Sequence, residues 1–241
     1  MKTDQYQEDQ TSTLTFLTYN SPDAGCTNRR RRADVVMWSC RGYSITQQAQ
    51  LHANLSNGYD RNLRPGENRT LPTKISIDFY IAKIKELKEE ENKMSTVGYI
   101  GLEWTDHRLT WNPADYNDEL KQTSMFISKI WAPNVVLFNP VEKRSPILTD
   151  DFSCTIKSNG QVKCFLADLF EATCSADISG YPFDAQYCTL KLFVPGFSIL
   201  DIILQSASSA IHLELYEIHG LWYITDTSIC FLFAFGIRRE S

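Results

Sequence analysis

From residue 75 onward the sequence alternates apolar and polar residues, and this period of two constrains the fold more than any other feature. The alternation is between an apolar set, Ile75, Ile77, Phe79 and Ile81, and a more polar set, Ser76, Asp78 and Tyr80. Successive side chains of a β-strand point to opposite faces, so this pattern predicts a strand with one buried face. Further short strands are predicted at residues 97–104, 126–130, 135–138, 152–156, 161–165, 189–194, 211–216, 222–226 and 229–237. Many short strands at regular spacing predict a β-sandwich.

The segments before and after the first strand have different characters. Residues 45–56 (ITQQAQLHANLS) contain good helix formers with spaced apolar residues and predict a short amphipathic helix. Residues 83–93 (KIKELKEEENK) have helical propensity but lie between two strand patterns, so a strand end with a charged turn is equally favoured. Residues 1–44 are polar, with an arginine run at 29–32. A solvated tail or processing remnant is favoured there over a basic arm for acidic partners. We therefore predict an irregular extension at 1–44 and one β-sandwich domain at 45–241.

Composition bounds the class of protein. The chain has 241 residues, 43% hydrophobic and 22% charged, which is typical of a globular domain and excludes a disordered chain, a collagen and a coiled coil. The net charge of -5 provides no global positive field for nucleic acid. The longest apolar stretches, 192–204 and 229–237, are too short or too interrupted to cross a bilayer as helices, and no signal sequence opens the chain. We expect a soluble domain, or a piece of something larger.

Neither metal nor catalytic motifs are found in the sequence. The seven cysteines include no CxxC spacing and the four histidines no HxxxH spacing, so we expect no metal site and no cofactor. The chain also lacks a GxSxG elbow, an HExxH helix, a P-loop and a paired-carboxylate motif. We expect no enzymatic activity.

Two cysteine pairs have the spacing of short-loop disulfides. Cys154 and Cys164 are symmetric about Asn159, within a predicted hairpin turn, and antiparallel pairing would place their sulfurs opposite each other. Cys174 and Cys188 enclose a loop whose closure would contribute about 3 kcal/mol. Buried free thiols remain the alternative, mainly for the first pair. Asn54 and Asn68 begin N-glycosylation sequons, which suit an oxidising secretory route and an extracellular domain.

The segment CSADISGYPFDAQYC at residues 174–188 resembles the signature of the Cys-loop receptors, the pentameric neurotransmitter-gated ion channels. Other blocks resemble nicotinic acetylcholine receptor subunits in the same order along the chain. These blocks are LEWTDHRLTWNPADY (102–116), IWAPNVVLFN (130–139), LELYEIHGLWYITDTS (213–228) and FGIRR (235–239). The resemblance extends from about residue 45 to residue 239.

The resemblance implies an all-β fold, a two-sheet immunoglobulin-like β-sandwich with a short N-terminal α-helix. It implies homologous subunits in a homo- or hetero-pentamer, with a small-molecule ligand bound at the subunit seams, a cation being one option. The domain would lie on the extracellular face of the plasma membrane, above a C-terminal pore domain, or would be secreted if the chain is complete.

Coupling residues are also implied by the resemblance. The loop tip Tyr181, Pro182, Phe183 and Asp184 would press on a membrane domain. Arg238 and Arg239 would meet an acidic residue of an early turn, Glu89 or one of its two neighbours. An exposed charge pair that contributes less than about 1 kcal/mol is the alternative interpretation.

The aromatic box that binds acetylcholine in this family is only partly matched. The complementary-face aromatic falls on Tyr99 and the first-loop tyrosine on Phe138. The central tryptophan falls on or next to Pro195, where Phe197 could substitute only if the strand shifts. The capping loop, with its tyrosines and adjacent cysteine pair, is missing, and Cys230 stands alone. Three interpretations remain. The chain could be a receptor subunit domain that supplies a complementary face or binds another ligand, a secreted module similar to acetylcholine-binding proteins, or a truncated structural subunit.

Overall fold

The computed structural model describes residues 26–28, 38–40, 43–66, 68, 70–142, 146–174, 185–218, 220–230 and 232–239. The chain forms two units, Met1–Gly42 and Tyr43–Ser241. In the first unit, strands β1 (Cys26–Asn28) and β2 (Trp38–Cys40) pair antiparallel, with Cys26 opposite Cys40. The domain boundary between residues 44 and 45 stays a prediction.

The second unit begins with the predicted helix, α1 (Ile45–Ser56). Its start is fixed by a capping box, in which Ser44 Oγ accepts from the Gln47 N–H at 3.2 Å and Gln47 Oε1 accepts from the Ser44 N–H at 2.8 Å. Leu51 and Leu55, four residues apart, are the buried residues of the helix. The apolar stripe therefore packs on the sheets and the opposite side remains in solvent.

Strands make up most of the remainder of this unit, and the predicted all-β class with a short N-terminal helix is confirmed. They are β3 (Thr73–Lys88), β4 (Lys93–Thr110), β5 (Gln122–Phe126), β6 (Val136–Leu137), β7 (Ser153–Lys157), β8 (Asn159–Thr173), β9 (Ala185–Phe193), β10 (Ile202–Ser206), β11 (Trp222–Cys230) and β12 (Leu232–Arg239). One sheet has the order β10-β3-β4-β8-β7-β5 and the other β11-β12-β9-β6. Among these described strands, β10 and β3 are parallel and the other neighbours are antiparallel.

The core lies between the two sheets and confirms the alternation read from the sequence. The apolar residues of β3 are buried, and its polar residues face outward. Leu190 and Trp222 bury their side chains from the four-stranded sheet into the same cluster. Trp104 and Trp131 pack edge to face within it, with ring centroids 5.8 Å apart. Removal of this apolar surface from water stabilises the sandwich by roughly 25 cal/mol per Å².

Four sequence predictions need correction or completion. The strand predicted at 126–130 is wrong, because β5 ends at Phe126 and a 3-10 turn follows at Ile127–Lys129. The buried residues Ile127 and Ile130 are three apart, which matches a 3-10 period and not strand alternation. The strand predicted at 211–216 is also wrong. This segment buries Ile211 but exposes Leu213 and Leu215, and it meets β3 through a single bridge at His212.

The strand predicted at 229–237 combined two elements, the end of β11 and most of β12, which pair antiparallel. The structure also contains β10, which the sequence reading missed because it lies in a run without clear alternation. Residues 83–93, for which two readings were open, form the end of β3, a turn and the start of β4. Asn92 has a φ of 49°, a left-handed conformation that asparagine tolerates well.

A buried ionic network at one end of β4 joins three segments. The Asp106 side chain is fully buried and accepts hydrogen bonds from Arg108 Nε at 2.9 Å, Arg108 Nη2 at 2.7 Å and the Tyr59 hydroxyl at 2.7 Å. The Tyr59 hydroxyl also accepts from the Trp131 N–H at 2.9 Å. Burial raises the pKa of Asp106, but the hydrogen bonds from Arg108 and Tyr59 outweigh that effect and hold its pKa below the usual range.

We expect Asp106→Asn to lower the free energy of unfolding by roughly 3 kcal/mol, because the Arg108 guanidinium loses its buried partner. Since the folded pKa of Asp106 is depressed, its contribution is present above the unfolded value of about 3.9 and is lost as the pH falls through the folded value. Urea unfolding at about pH 7 and about pH 3 should show the wild-type chain converging on the variant in acid. A constant difference between the two proteins across this range would contradict the assignment.

Two glycines of β4 differ in the space around them. A Cβ at Gly98 would lie 2.8 Å from both Phe79 Cζ and the Tyr80 carbonyl oxygen. A Cβ at Gly101 would lie 3.6 Å from Asp78 Cβ and from Phe165 Cδ2, which is ordinary contact. Gly98 is therefore required by close packing of β4 on β3, whereas Gly101 has room for a methyl group.

We expect Gly98→Ala to lower the free energy of unfolding by about 1–3 kcal/mol through overpacking. Gly101→Ala is the matched control on the same strand and should stay within about 0.5 kcal/mol of wild type. Urea unfolding of the three proteins measures both values. Equal losses in the two variants would contradict the packing argument.

Candidate functional site

An aromatic row crosses the outer face of the six-stranded sheet. We define it as Tyr99, Phe165, Tyr80 and His212. Tyr99 of β4 stacks on Phe165 of β8, with centroids 5.5 Å apart and an interplanar angle of 7°. Phe165 meets Tyr80 of β3 edge to face at 5.4 Å, and His212 stacks on Tyr80 at 4.1 Å. Four rings from four segments are thus in continuous contact.

Strand register explains why these rings meet. Tyr80 lies opposite Tyr99 in the β3–β4 pair, and Phe165 lies opposite Gly101 in the β4–β8 pair. The Phe165 ring lies over Gly101, where a Cβ would be 3.6 Å from Phe165 Cδ2, and from there it reaches both tyrosines. Phe165 remains 49% exposed, so the row presents aromatic surface to solvent in the single chain.

Carboxylates border one end of the row. His212 Nε2 lies 3.5 Å from Asp78 Oδ1, and His212 Nδ1 lies 3.4 Å from Glu214 Oε1. A hydrogen bond with its own backbone N–H, and then one with His212, hold the pKa of Glu214 below its usual range. Aromatic faces with nearby negative charge attract organic cations. This arrangement suits a cationic group.

The other predicted ligand residues lie beside the four-stranded sheet. Phe138 directly follows β6, is 53% exposed and meets Phe193 edge to face at 5.5 Å. Asn139 fastens this segment to β9, because its side chain donates to the Thr189 carbonyl at 2.9 Å and accepts from the Lys191 N–H at 3.0 Å. The structure therefore places Phe138 in the sheet opposite to that of Tyr99.

Phe197 lies in the turn after β9, next to Gly196, whose φ is +84°. Its neighbours Ile199 and Leu200 are strongly exposed, so this turn presents an apolar surface. The strands β11 and β12 remain paired as far as Cys230 and Leu232, which leaves no long capping excursion between them. The assignments of Tyr99, Phe138 and Phe197 as ligand residues stay predictions.

Both predicted disulfides are formed. Cys154–Cys164 joins β7 to β8 with a Cα–Cα distance of 4.4 Å, and Cys174–Cys188 joins the end of β8 to β9 with a Cα–Cα distance of 4.9 Å. All four cysteines are buried. The Cys174 N–H donates to the Asn92 carbonyl at 2.8 Å, which ties this disulfide to the β3–β4 turn.

The predicted coupling residues are partly described. Glu89 and its two acidic neighbours line a cleft of about 440 Å³ together with Leu221 and Trp222. Arg239 lies opposite Trp222 in the backbone register of β11 and β12, and Arg238 is beside it. Tyr181, Pro182, Phe183 and Asp184 lie outside the described residues. The coupling roles stay predictions.

The two sequons are exposed but differ in their contacts. The Asn54 Nδ2 atom donates to the Tyr116 hydroxyl at 3.2 Å, from within α1. Asn68 Oδ1 accepts from the Thr70 N–H at 2.9 Å and from the Thr70 hydroxyl at 2.7 Å. Glycosylation at either position stays a prediction.

Three residues of the aromatic row were missed at the sequence level. The alternation of residues 161–165 could have indicated that Phe165 faces outward, because its neighbours Cys164 and Leu166 point into the core. Tyr80 was read only as a polar-face residue, and no sequence signal placed His212 against it.

Two further findings concern the described part of the chain. No group of three or more His, Cys, Asp or Glu residues there could hold a metal ion. No helix within these ranges has the length and apolar composition needed to span a membrane.

Comparison with known proteins gives a consistent result. A family model described as the neurotransmitter-gated ion-channel ligand binding domain matches residues 48–232. The acetylcholine receptor subunit beta of Rattus norvegicus is 28% identical over 172 residues, which cover 71% of this chain and 34% of that protein. The neuronal acetylcholine receptor subunit alpha-2 of Gallus gallus is 29% identical over 177 residues, covering 73% and 33%. The chain thus spans about a third of the length of these curated relatives.

We expect acetylcholine and nicotine to bind weakly or not at all to this chain alone, because the resemblance matches the central tryptophan to a position on or next to Pro195, and β11 and β12 pair without a long capping excursion. Titration calorimetry measures this directly. A nicotinic domain with a complete aromatic box is the positive control under the same conditions. Micromolar or tighter binding of either compound would show that the residue matching is wrong.

Proposed function

We propose a function from the premise that this chain belongs to the neurotransmitter-gated ion-channel ligand-binding domain family. Members of this family are receptor domains, not enzymes, and the chain is a nicotinic-like extracellular domain of the Cys-loop receptor type. The finer proposal is that it serves a receptor subunit, binds a small neurotransmitter-like ligand at a seam between subunits, and thereby helps to gate an ion channel.

Within that seam, we propose that the chain supplies the complementary face. The stack of the half-buried Tyr99 ring on the exposed Phe165 ring is the observation that carries this proposal. Tyr99 occupies the position that the family resemblance assigns to the complementary-face aromatic. Cation–π attraction to such rings contributes about 0.5–2 kcal/mol, and the carboxylates at the His212 end of the row add favourable charge.

The opposite face of the chain supports a different role. Phe138, Phe193 and Phe197 offer aromatic surface there, but Ile199 and Leu200 add exposed aliphatic surface instead of polar groups. An acetylcholine-type cation gains little from aliphatic side chains. This principal side would therefore take an apolar ligand or no ligand, and a partner subunit would supply the complete box.

The proposed partners follow from this division. Homologous subunits in a homo- or hetero-pentamer would complete the seams, and a pore domain beyond this chain would connect to the membrane. Because the chain spans about a third of its relatives, channel activity and membrane attachment are proposals for the longer protein.

The test is a mixed assembly. The chain is coexpressed with a nicotinic subunit domain that retains the central tryptophan and the capping-loop tyrosines, and binding of acetylcholine is measured. We expect binding that falls about tenfold or more in Tyr99→Ala, since loss of a desolvated cation–π contact costs up to about 2 kcal/mol.

Phe138→Ala is the control, because it removes an exposed aromatic ring from the other face of the same chain. It should leave binding at the mixed seam unchanged. Light scattering of the mixture reports whether a pentameric ring forms. A ring whose binding depends on Phe138 and not on Tyr99 would reverse the assignment of the faces, and the absence of any mixed assembly would contradict the proposal.

A further inference from the structure

We propose that His212 is a positioning residue for the ligand-facing ring of Tyr99, acting through Tyr80 and Phe165, and that its protonation shifts that ring. The inference rests on the proposed function, because it concerns regulation of the same complementary face. It is carried by the geometry of the aromatic row and of the segment that holds His212.

The first step is mechanical continuity along the row. His212 lies nearly parallel to Tyr80, with 13° between the rings, whereas Phe165 meets Tyr80 at 81° and Tyr99 at 7°. Stacked and edge-to-face pairs both have preferred geometries, so displacement of one ring changes the favoured position of the next. Phe165 is the ring that contacts both tyrosines.

The second step is the restraint on His212 itself. Its N–H donates to the Phe79 carbonyl at 2.9 Å, and its carbonyl accepts from the Ile81 N–H at 3.1 Å. Five residues later, the Glu217 N–H donates to the Ala82 carbonyl at 2.7 Å. The backbone of this segment is therefore fastened along the edge of β3, and the imidazole is held against Tyr80.

The third step is charge. Asp78 faces the imidazole from β3 and Glu214 faces it from the same segment, each near a different ring nitrogen. Tyr80 is the other titratable group against the ring, and the Lys83–Glu217 ion pair lies farther along. A neutral imidazole has one N–H and can donate to one carboxylate, whereas an imidazolium can donate to both.

The environment of Asp78 Oδ1 indicates which contact of His212 changes when the imidazole is protonated. This oxygen is buried and accepts no hydrogen bond in the described part of the chain. Protonation of His212 supplies a donor toward Asp78 and favours a shorter distance than the present 3.5 Å. Movement of the imidazole toward Asp78 changes its overlap with Tyr80, and the change passes to Phe165 and Tyr99.

The experiment places fluorotyrosine at position 99 of the full 241-residue chain and follows its fluorine NMR resonance between about pH 5 and about pH 7, below the range in which the fluorinated phenol itself loses its proton. We expect a titration in wild type. His212→Phe keeps an aromatic ring on Tyr80 but removes the proton, so its resonance should not titrate. Phe165→Leu removes the ring that joins Tyr80 to Tyr99 while His212 remains, and it should abolish the titration as well.

Glu217→Gln is the matched control, because Glu217 belongs to the same segment but pairs with Lys83 and not with His212. It should titrate like wild type. Urea unfolding of each variant separates loss of fold from loss of coupling. His212→Gln provides a second non-titrating variant if the Phe substitution unfolds the chain. Persistence of the titration in the folded His212 variants, or its absence in wild type, overturns the proposal.

A second measurement links positioning to ligand. In the mixed assembly, His212→Ala should weaken acetylcholine binding by about three- to tenfold, the effect of losing one aromatic pair. Binding that depends on Tyr99 but not on His212 would overturn this inference and leave the proposed function intact. Absence of binding, together with a titrating Tyr99 resonance, would overturn the proposed function but not the coupling between the two residues.

Discussion

The pairing of β4 between β3 and β8 is the interaction on which the rest of the domain depends. One face of β4 buries Ile100, Leu102 and Trp104 in the core, and the other face carries Tyr99 in the aromatic row. Gly98 permits the close approach of β4 to β3. A slip of one residue would exchange the two faces of the strand, so the core and the aromatic row are specified together.

The fold was predictable from sequence where one face of a strand is buried and the other is exposed to solvent. The alternation in β3, the helix formers and spaced apolar residues of α1, and the symmetry of Cys154 and Cys164 about a turn are local signals, and all three were confirmed. Prediction failed where burial did not follow local period. At residues 211–216 the apolar residues alternate, but Leu213 and Leu215 have no sheet to cover them. Only the packing of the whole chain determines that.

The candidate site, too, was predictable only in part from the sequence. Resemblance to known receptors assigns the complementary-face position to Tyr99, because Trp104, five residues later, belongs to a block that resembles those receptors. The contacts that surround Tyr99 depend on which residues of β3, β8 and the 211–217 segment lie side by side, and this information is spread over residues that are far apart in sequence. His212 and Tyr80 are separated by more than a hundred residues, so no local pattern could pair them.

The Cys154–Cys164 bond has a consequence for how the aromatic row forms. Cys164 immediately precedes Phe165, and its covalent link to β7 holds β8 in the register that turns Phe165 outward. Oxidation of this thiol pair therefore bears on the position of Phe165 in the row as well as on folding. A chain made in a reducing cytosol lacks that restraint, and assays of recombinant material should treat the oxidation state of this hairpin as part of the definition of the sample.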